Sequence, residues 1–152
     1  MIRTLLAGAA AGAAGTTALN AATYLDMVAR GRGTSSTPED TIEVLAERAG
    51  VEVPGDGETR NNRVQGLSAL SGIATGVAAG ALMGGLRAVG FTPGRLTGSL
   101  LTAALAMAAA DVPMARLGIS NPRDWSAPDW AADALPHLAY GVVTYATLAA
   151  TD

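Results

Sequence analysis

The chain of 152 residues has no cysteine, no lysine, one histidine and one phenylalanine, and few charges of either sign. Without cysteine there are no disulfides and no thiolate metal ligands. Without lysine there is neither the phosphate-gripping lysine of a P-loop nor Schiff-base chemistry. The single His137 excludes a His-x-x-x-His metal spacing, and no nucleophile and base stand with a third group to orient them. Charged residues make up 15% and aromatics 4% of the chain, against about a quarter charged in an ordinary soluble domain. A net charge of −3 offers no basic footprint for nucleic acid. These absences lead us to expect no enzymatic activity of the chain's own, no cofactor, no metal and no nucleic-acid partner.

Alanine (33) and glycine (19) fill the space left. The charges that remain are segregated. Seventeen of the 23 lie in 27–63 and 116–133, leaving only Arg3, Asp26, Arg87, Arg95, Asp111 and Asp152 elsewhere. Between them run Thr4–Leu25, Val64–Leu86, Leu96–Ala110 and Ala134–Ala150, with His137 the one titratable group inside apart from tyrosines. A membrane-spanning helix needs about 20 mainly apolar residues to cross roughly 30 Å of hydrocarbon. The first two stretches reach that length unaided. The third does so by running on through Asp111 and Pro113, the fourth by starting near Trp130. A soluble alanine-rich bundle is the competing reading, but its helices would carry a polar stripe at the 3.6-residue period, and Thr4–Leu25 and Val64–Leu86 carry none. The N-terminal run with its small residues around Ala18–Ala22 also fits a cleaved secretory signal, which would leave a mature start near residue 22.

The expected architecture is all-α: a single transmembrane domain over 1–152, an integral membrane four-helix bundle with helices about 3–28, 64–88, 94–117 and 128–150. A short amphipathic helix, 38–49, is expected in the extramembrane loop 29–63. Thr37-Pro38-Glu39-Asp40 supplies its start, Ile42, Leu45, Ala46 and Ala49 one apolar face, and Gly50 its stop. That helix either connects through solvent or packs against the membrane side of the molecule. Arginines favour loops 29–63 and 118–127 on the cytoplasmic side of an inner membrane, seven against three. Both tryptophans, Trp125 and Trp130, lie beside the third loop and are expected to anchor at the headgroup level, where the indole body is buried and its N–H stays wet.

Two features inside the apolar stretches are more specific. Gly72, Gly76, Gly80 and Gly84 form overlapping GxxxG units, a flat groove that lets another backbone approach closely. Its occupant is another helix of the same bundle or a second copy of the chain. Asp111 and His137 come at similar depth on antiparallel helices, with Asn20, Asp26 and Tyr140 approaching the same level. These five make a candidate polar layer in which Asp111 pairs with His137. An intramembrane acid is expensive, about 2.5–3.5 kcal/mol at the bilayer centre. The layer therefore either fixes helix register by hydrogen bonding or lines a proton or small-solute path.

The run Asp111-Val112-Pro113-Met114-Ala115-Arg116-Leu117-Gly118, then Asn121-Pro122, Trp130 and Pro136-His137-Leu138-Ala139-Tyr140-Gly141 resembles the C-terminal half of YagU-type bacterial inner-membrane proteins, over residues 107–145. The resemblance implies a multi-pass inner-membrane protein, of a family linked to acid stress. Lysine-free, alanine- and arginine-rich usage is similar to that of small actinobacterial multi-helix membrane proteins. The function expected is that of an accessory or structural membrane component, with the lipid bilayer, a second copy or another membrane protein as partner. The alternative is a conducting bundle built on the Asp/His layer.

Overall fold

The computed structural model describes residues 1–151. Five α-helices make up nearly all of it: α1 (Ile2–Arg30), α2 (Thr37–Ala49), α3 (Gly57–Ala88), α4 (Arg95–Leu117) and α5 (Ala127–Ala149), with one 3₁₀ turn at Pro122–Asp124. No strand occurs among the described residues. The expected elements are present, with one displaced boundary. Helix α3 begins at Gly57 rather than near residue 64, because Glu58–Arg63 contains no breaker and the helix continues nearly two turns beyond its apolar stretch. Helix α2 is entered from Ser36 rather than Thr37, the Ser36 hydroxyl donating to Asp40 at 3.0 Å. Gly50 ends α2 and Gly118 ends α4 in the left-handed conformation that a side chain disfavours. The start of α5 is a reciprocal capping box, with Ser126 and Asp129 each satisfying the other's backbone amide.

Helix α1 packs against both α3 and α5, and α4 packs on α5 and touches α3. The close approaches are set by absent side chains. A methyl group at Gly80 would lie 2.5 Å from Gly12 Cα and 2.7 Å from Gly12 N, and one at Gly8 would lie 2.9 Å from Gly84 Cα. One turn further along the same face of α1, Gly15 leaves room for the Tyr140 ring of α5. A methyl at Gly141 of α5 would meet Ala103 of α4 at 2.7 Å. The glycine row thus serves packing inside the bundle through Gly76, Gly80 and Gly84. Gly72 is a correction to that row: it is exposed, with no neighbour that a side chain would meet.

Small residues and hydroxyls occupy the interior, with two tyrosines as its large members. Ala11, Met83, Tyr145 and Leu148 form one buried cluster, and Ala79, Ala106 and Tyr140 the other. Thr16, Ser68, Thr102 and Thr144 are buried as well. Thr16 and Thr102 donate to the carbonyls four residues back, at 2.9 and 2.7 Å, so these hydroxyls are satisfied within their own helices. The bulky aliphatic side chains point outward on every long helix: Leu6 and Leu25 on α1, Leu67 and Leu70 on α3, Leu96 and Leu100 on α4, Leu135 and Val142 on α5.

Helix α2 packs beneath the bundle against α3, with contacts to α4. Val53 is buried in this junction, and Arg60 of α3 grips Glu43 of α2 with both guanidinium nitrogens, one at 2.5 Å. The Arg60 hydrogen bonds hold the Glu43 carboxyl below its usual range. A lowered folded-state value means that this contact stabilises docking fully above the ordinary carboxylate range and ceases to do so as pH falls through the folded value. The protection of amides 39–49, their exchange relative to the intrinsic rate at the same pH, is therefore expected to fall on acidification below that range. In Glu43→Gln the exchange of the same residues should be fast already at neutral pH and lack that transition.

Candidate functional site

The register of α4 against α5 decides what faces what. Gly141 sits against Ala103, and Gly98 against the Tyr145 ring, so the two helices run antiparallel with a fixed offset. Counting eight residues toward the third loop from Gly141 and from Ala103 arrives at Asp133 and Asp111. The two aspartates are therefore level with each other. His137 lies one turn deeper, about 6 Å at 1.5 Å per residue. Its Nδ1 is 2.9 Å from the Asp133 backbone oxygen and 3.4 Å from Asp133 Oδ1.

The structure shows an Asp133–His137 contact along one helix in place of the expected Asp111–His137 pair, with Asp111 at the level of Asp133 on α4. Asp133 and His137 still act on Asp111 electrostatically. Asp133 is the functional residue that the sequence reading missed. Its spacing of four before His137 is the signal that could have found it, since residues i and i+4 share a helix face. Asp111 is only 7% exposed, and its Oδ1 has no hydrogen-bond partner; Asp133 Oδ2 is buried and unpartnered too.

The remaining members of the expected layer go elsewhere. Asn20 is exposed on the outer face of α1, because the inward face there is taken by Leu19, which packs on the Tyr140 cluster. Asp26 stands nearer the end of α1 and binds Arg30 at 2.9 Å and Arg32 at 2.5 Å. Tyr140 is buried, and its hydroxyl donates to the Gly76 carbonyl at 2.6 Å, which ties α5 to α3 rather than to the acids. At the opposite end Tyr145 makes a comparable bond to the Pro93 carbonyl.

Trp125 and Trp130 stack edge to face with ring centroids 5.0 Å apart, and Trp125 Nε1 donates to Ser120 Oγ at 2.8 Å. The pair closes the α4–α5 turn one helical turn before Asp133. Pro113, exposed on α4, frees a carbonyl on the outer face, whereas Pro136 of α5 is buried. Because proline has no amide hydrogen, Pro136 leaves the Ala132 carbonyl without its usual partner, next to Asp133 in the chain.

No group of three or more histidine, cysteine, aspartate or glutamate side chains arranged to hold a metal ion occurs among the described residues. Two hollows flank the α2–α3 junction. One, of about 560 Å³, is lined by Glu43, Glu47, Glu52 and Arg60, and the other, of about 420 Å³, by Val51, Pro54, Leu67 and Leu70. Both are open surface depressions rather than enclosed sites. Two helices, α3 and α4, are long and apolar enough to cross a membrane. No known family, curated protein or solved structure matches the chain.

Proposed function

We propose that the chain is a small multi-pass membrane protein in which α1, α3, α4 and α5 all span the bilayer, acting as an accessory or structural component without enzymatic activity of its own. The observation that carries this reading is the inverted distribution of side chains. Most leucines and valines lie on the outside of the four long helices, while glycine, alanine, threonine and an aspartate line much of the inside around Tyr140, Tyr145, Met83 and Leu148. In water the hydrophobic effect would favour the reverse. In lipid, small residues let backbones approach and hydroxyls bond within or between helices.

Only 28% of the most apolar window of α3, and 22% of that of α4, is buried within the protein, far from the enclosure of a soluble core helix. The accessible surface of 8896 Å² exceeds the roughly 7,100 Å² typical of a compact soluble monomer of this mass. The resemblance of residues 107–145 to YagU-type proteins supports an inner-membrane location, and the seven-to-three arginine bias favours loops 29–63 and 118–127 on the cytoplasmic side.

A second reading, a bundle that conducts protons or small solutes, is favoured by one observation: the unpartnered Asp111 oxygen in the bundle interior. Reconstituted protein separates the two. Proteoliposome flux that disappears in Asp111→Asn, with insertion retained, supports conduction. No flux, with a native membrane protein co-purifying, supports the accessory role.

A further inference from the structure

The two ends of the bundle carry opposite charge. Gly84 of α3 lies on Thr4 of α1, and Gly98 of α4 lies against the Tyr145 ring of α5, so the start of α1, the end of α3 and the start of α4 meet at one end. The charged side chains there are Arg3, Arg87 and Arg95, and no acid accompanies them among the described residues. The opposite end holds the other seven arginines and all twelve acids of the described residues. With Asp152, which lies outside the described residues, the sequence at the first end is still basic by three to one.

This basic end is also apolar. The turn between α3 and α4 exposes Val89 and Phe91, the one phenylalanine of the chain, and the first turn of α4 exposes Leu96 beside Arg95. A turn standing in water typically carries glycine, asparagine, aspartate or serine at such places, as the third loop does with Ser120, Asn121 and Asp124. The α3–α4 turn is also held in position. Tyr145 donates its hydroxyl to the Pro93 carbonyl, and the Arg87 guanidinium carbon lies 6.0 Å from the centre of the Tyr145 ring. Arginine presents a charged tip on an aliphatic stem, which suits the level where headgroups meet acyl chains.

We infer that this end of the bundle is a docking surface for anionic phospholipid headgroups, with Arg3, Arg87 and Arg95 supplying the charge and Val89, Phe91 and Leu96 entering the acyl boundary. Positive side chains beside exposed apolar ones are the combination that holds a segment at an anionic lipid surface. The opposite end, where acids outnumber arginines, offers no such match, so the preference belongs to one end of the molecule. The inference rests on the four-helix membrane reading and adds the class of lipid that the protein selects.

The test uses full-length Thr92→Cys, whose thiol is the only one in the chain and whose position is exposed in the α3–α4 turn. It is labelled with a polarity-sensitive fluorophore and reconstituted into phosphatidylcholine vesicles containing rising fractions of phosphatidylglycerol. The label reports the turn, while Trp125 and Trp130 report the other end. The expected result is a saturable blue shift of the label with phosphatidylglycerol that tryptophan emission does not follow. In Arg3→Gln/Arg95→Gln, which replaces two exposed side chains, the fraction giving half of the shift rises several-fold, since each basic residue near an anionic surface strengthens association about fivefold. A label that ignores phosphatidylglycerol, or follows it equally with and without the two arginines, overturns the inference. Both leaflets carry the lipid, so the result does not depend on orientation. Insertion into pure phosphatidylcholine separates two failures: a chain that inserts there but shows no preference loses only this surface, and a chain that inserts into no vesicle loses the four-helix reading as well. The comparison of lipids needs no arginine variant, so it stands even if the double substitution prevents folding.

Discussion

Gly80→Leu is expected to separate α1 from α3 and to destabilise the fold by about 3 kcal/mol or more, whereas Gly72→Leu, eight residues away in the same row, changes stability by less than about 0.5 kcal/mol. The contrast follows from what each added side chain meets. At Gly80 even a methyl group falls 2.5 Å from Gly12 Cα and 2.7 Å from Gly12 N, and backbone cannot rotate aside as a flexible side chain can. The helices must move apart, losing the close Gly8–Gly84 and Gly12–Gly80 approaches along the crossing. At Gly72 nothing lies within reach. Titration of the folded protein with a denaturing detergent, followed by circular dichroism, measures both. Equal losses for the two variants would show that the row works as a unit, as in association between copies, rather than in the internal packing described above.

Asp111→Val is expected to stabilise the protein by about 1–3 kcal/mol in the same assay. A buried acid with an unsatisfied oxygen contributes a desolvation cost that an apolar side chain of similar size does not carry, and replacing buried charge by well-packed apolar groups is often stabilising. A loss of more than about 1 kcal/mol would mean that the carboxylate holds α4 against α5, which is the register-fixing role of such groups in membrane bundles. A gain in stability is the behaviour of a residue kept for something other than the stability of the fold.

The helices were legible in the sequence because their signals are local. Charge-free stretches, the Ser126–Asp129 cap and the terminating glycines each act within a few residues, and the small amphipathic helix was readable from Thr37 to Gly50 for the same reason. The start of α3 was not, since Glu58–Arg63 is polar without being helix-breaking, and charge content alone marks where apolar contact ends rather than where hydrogen bonding does. Depth in the bundle could be estimated by counting along each stretch, which brought Asp111 and His137 close. One helical turn of offset was enough to exchange the partner. That offset is fixed by Gly141 lying on Ala103, a tertiary contact that no single helix encodes. Asn20 illustrates the same limit: its depth was readable, but its direction depends on which face of α1 receives Tyr140. The glycine row is legible as a spacing, but which of its members are covered depends on α1, through Thr4, Gly8, Gly12 and Thr16.

The account depends on four helices crossing a bilayer, and the cysteine-free chain makes this directly measurable by single-cysteine labelling. Ser35→Cys in the first loop, Thr92→Cys in the second and Ser120→Cys in the third are each expressed in cells and exposed to a membrane-impermeant thiol reagent before and after permeabilisation. The account predicts that Thr92→Cys reacts in intact cells and that Ser35→Cys and Ser120→Cys react only once the membrane is opened. Identical labelling of all three positions would contradict it.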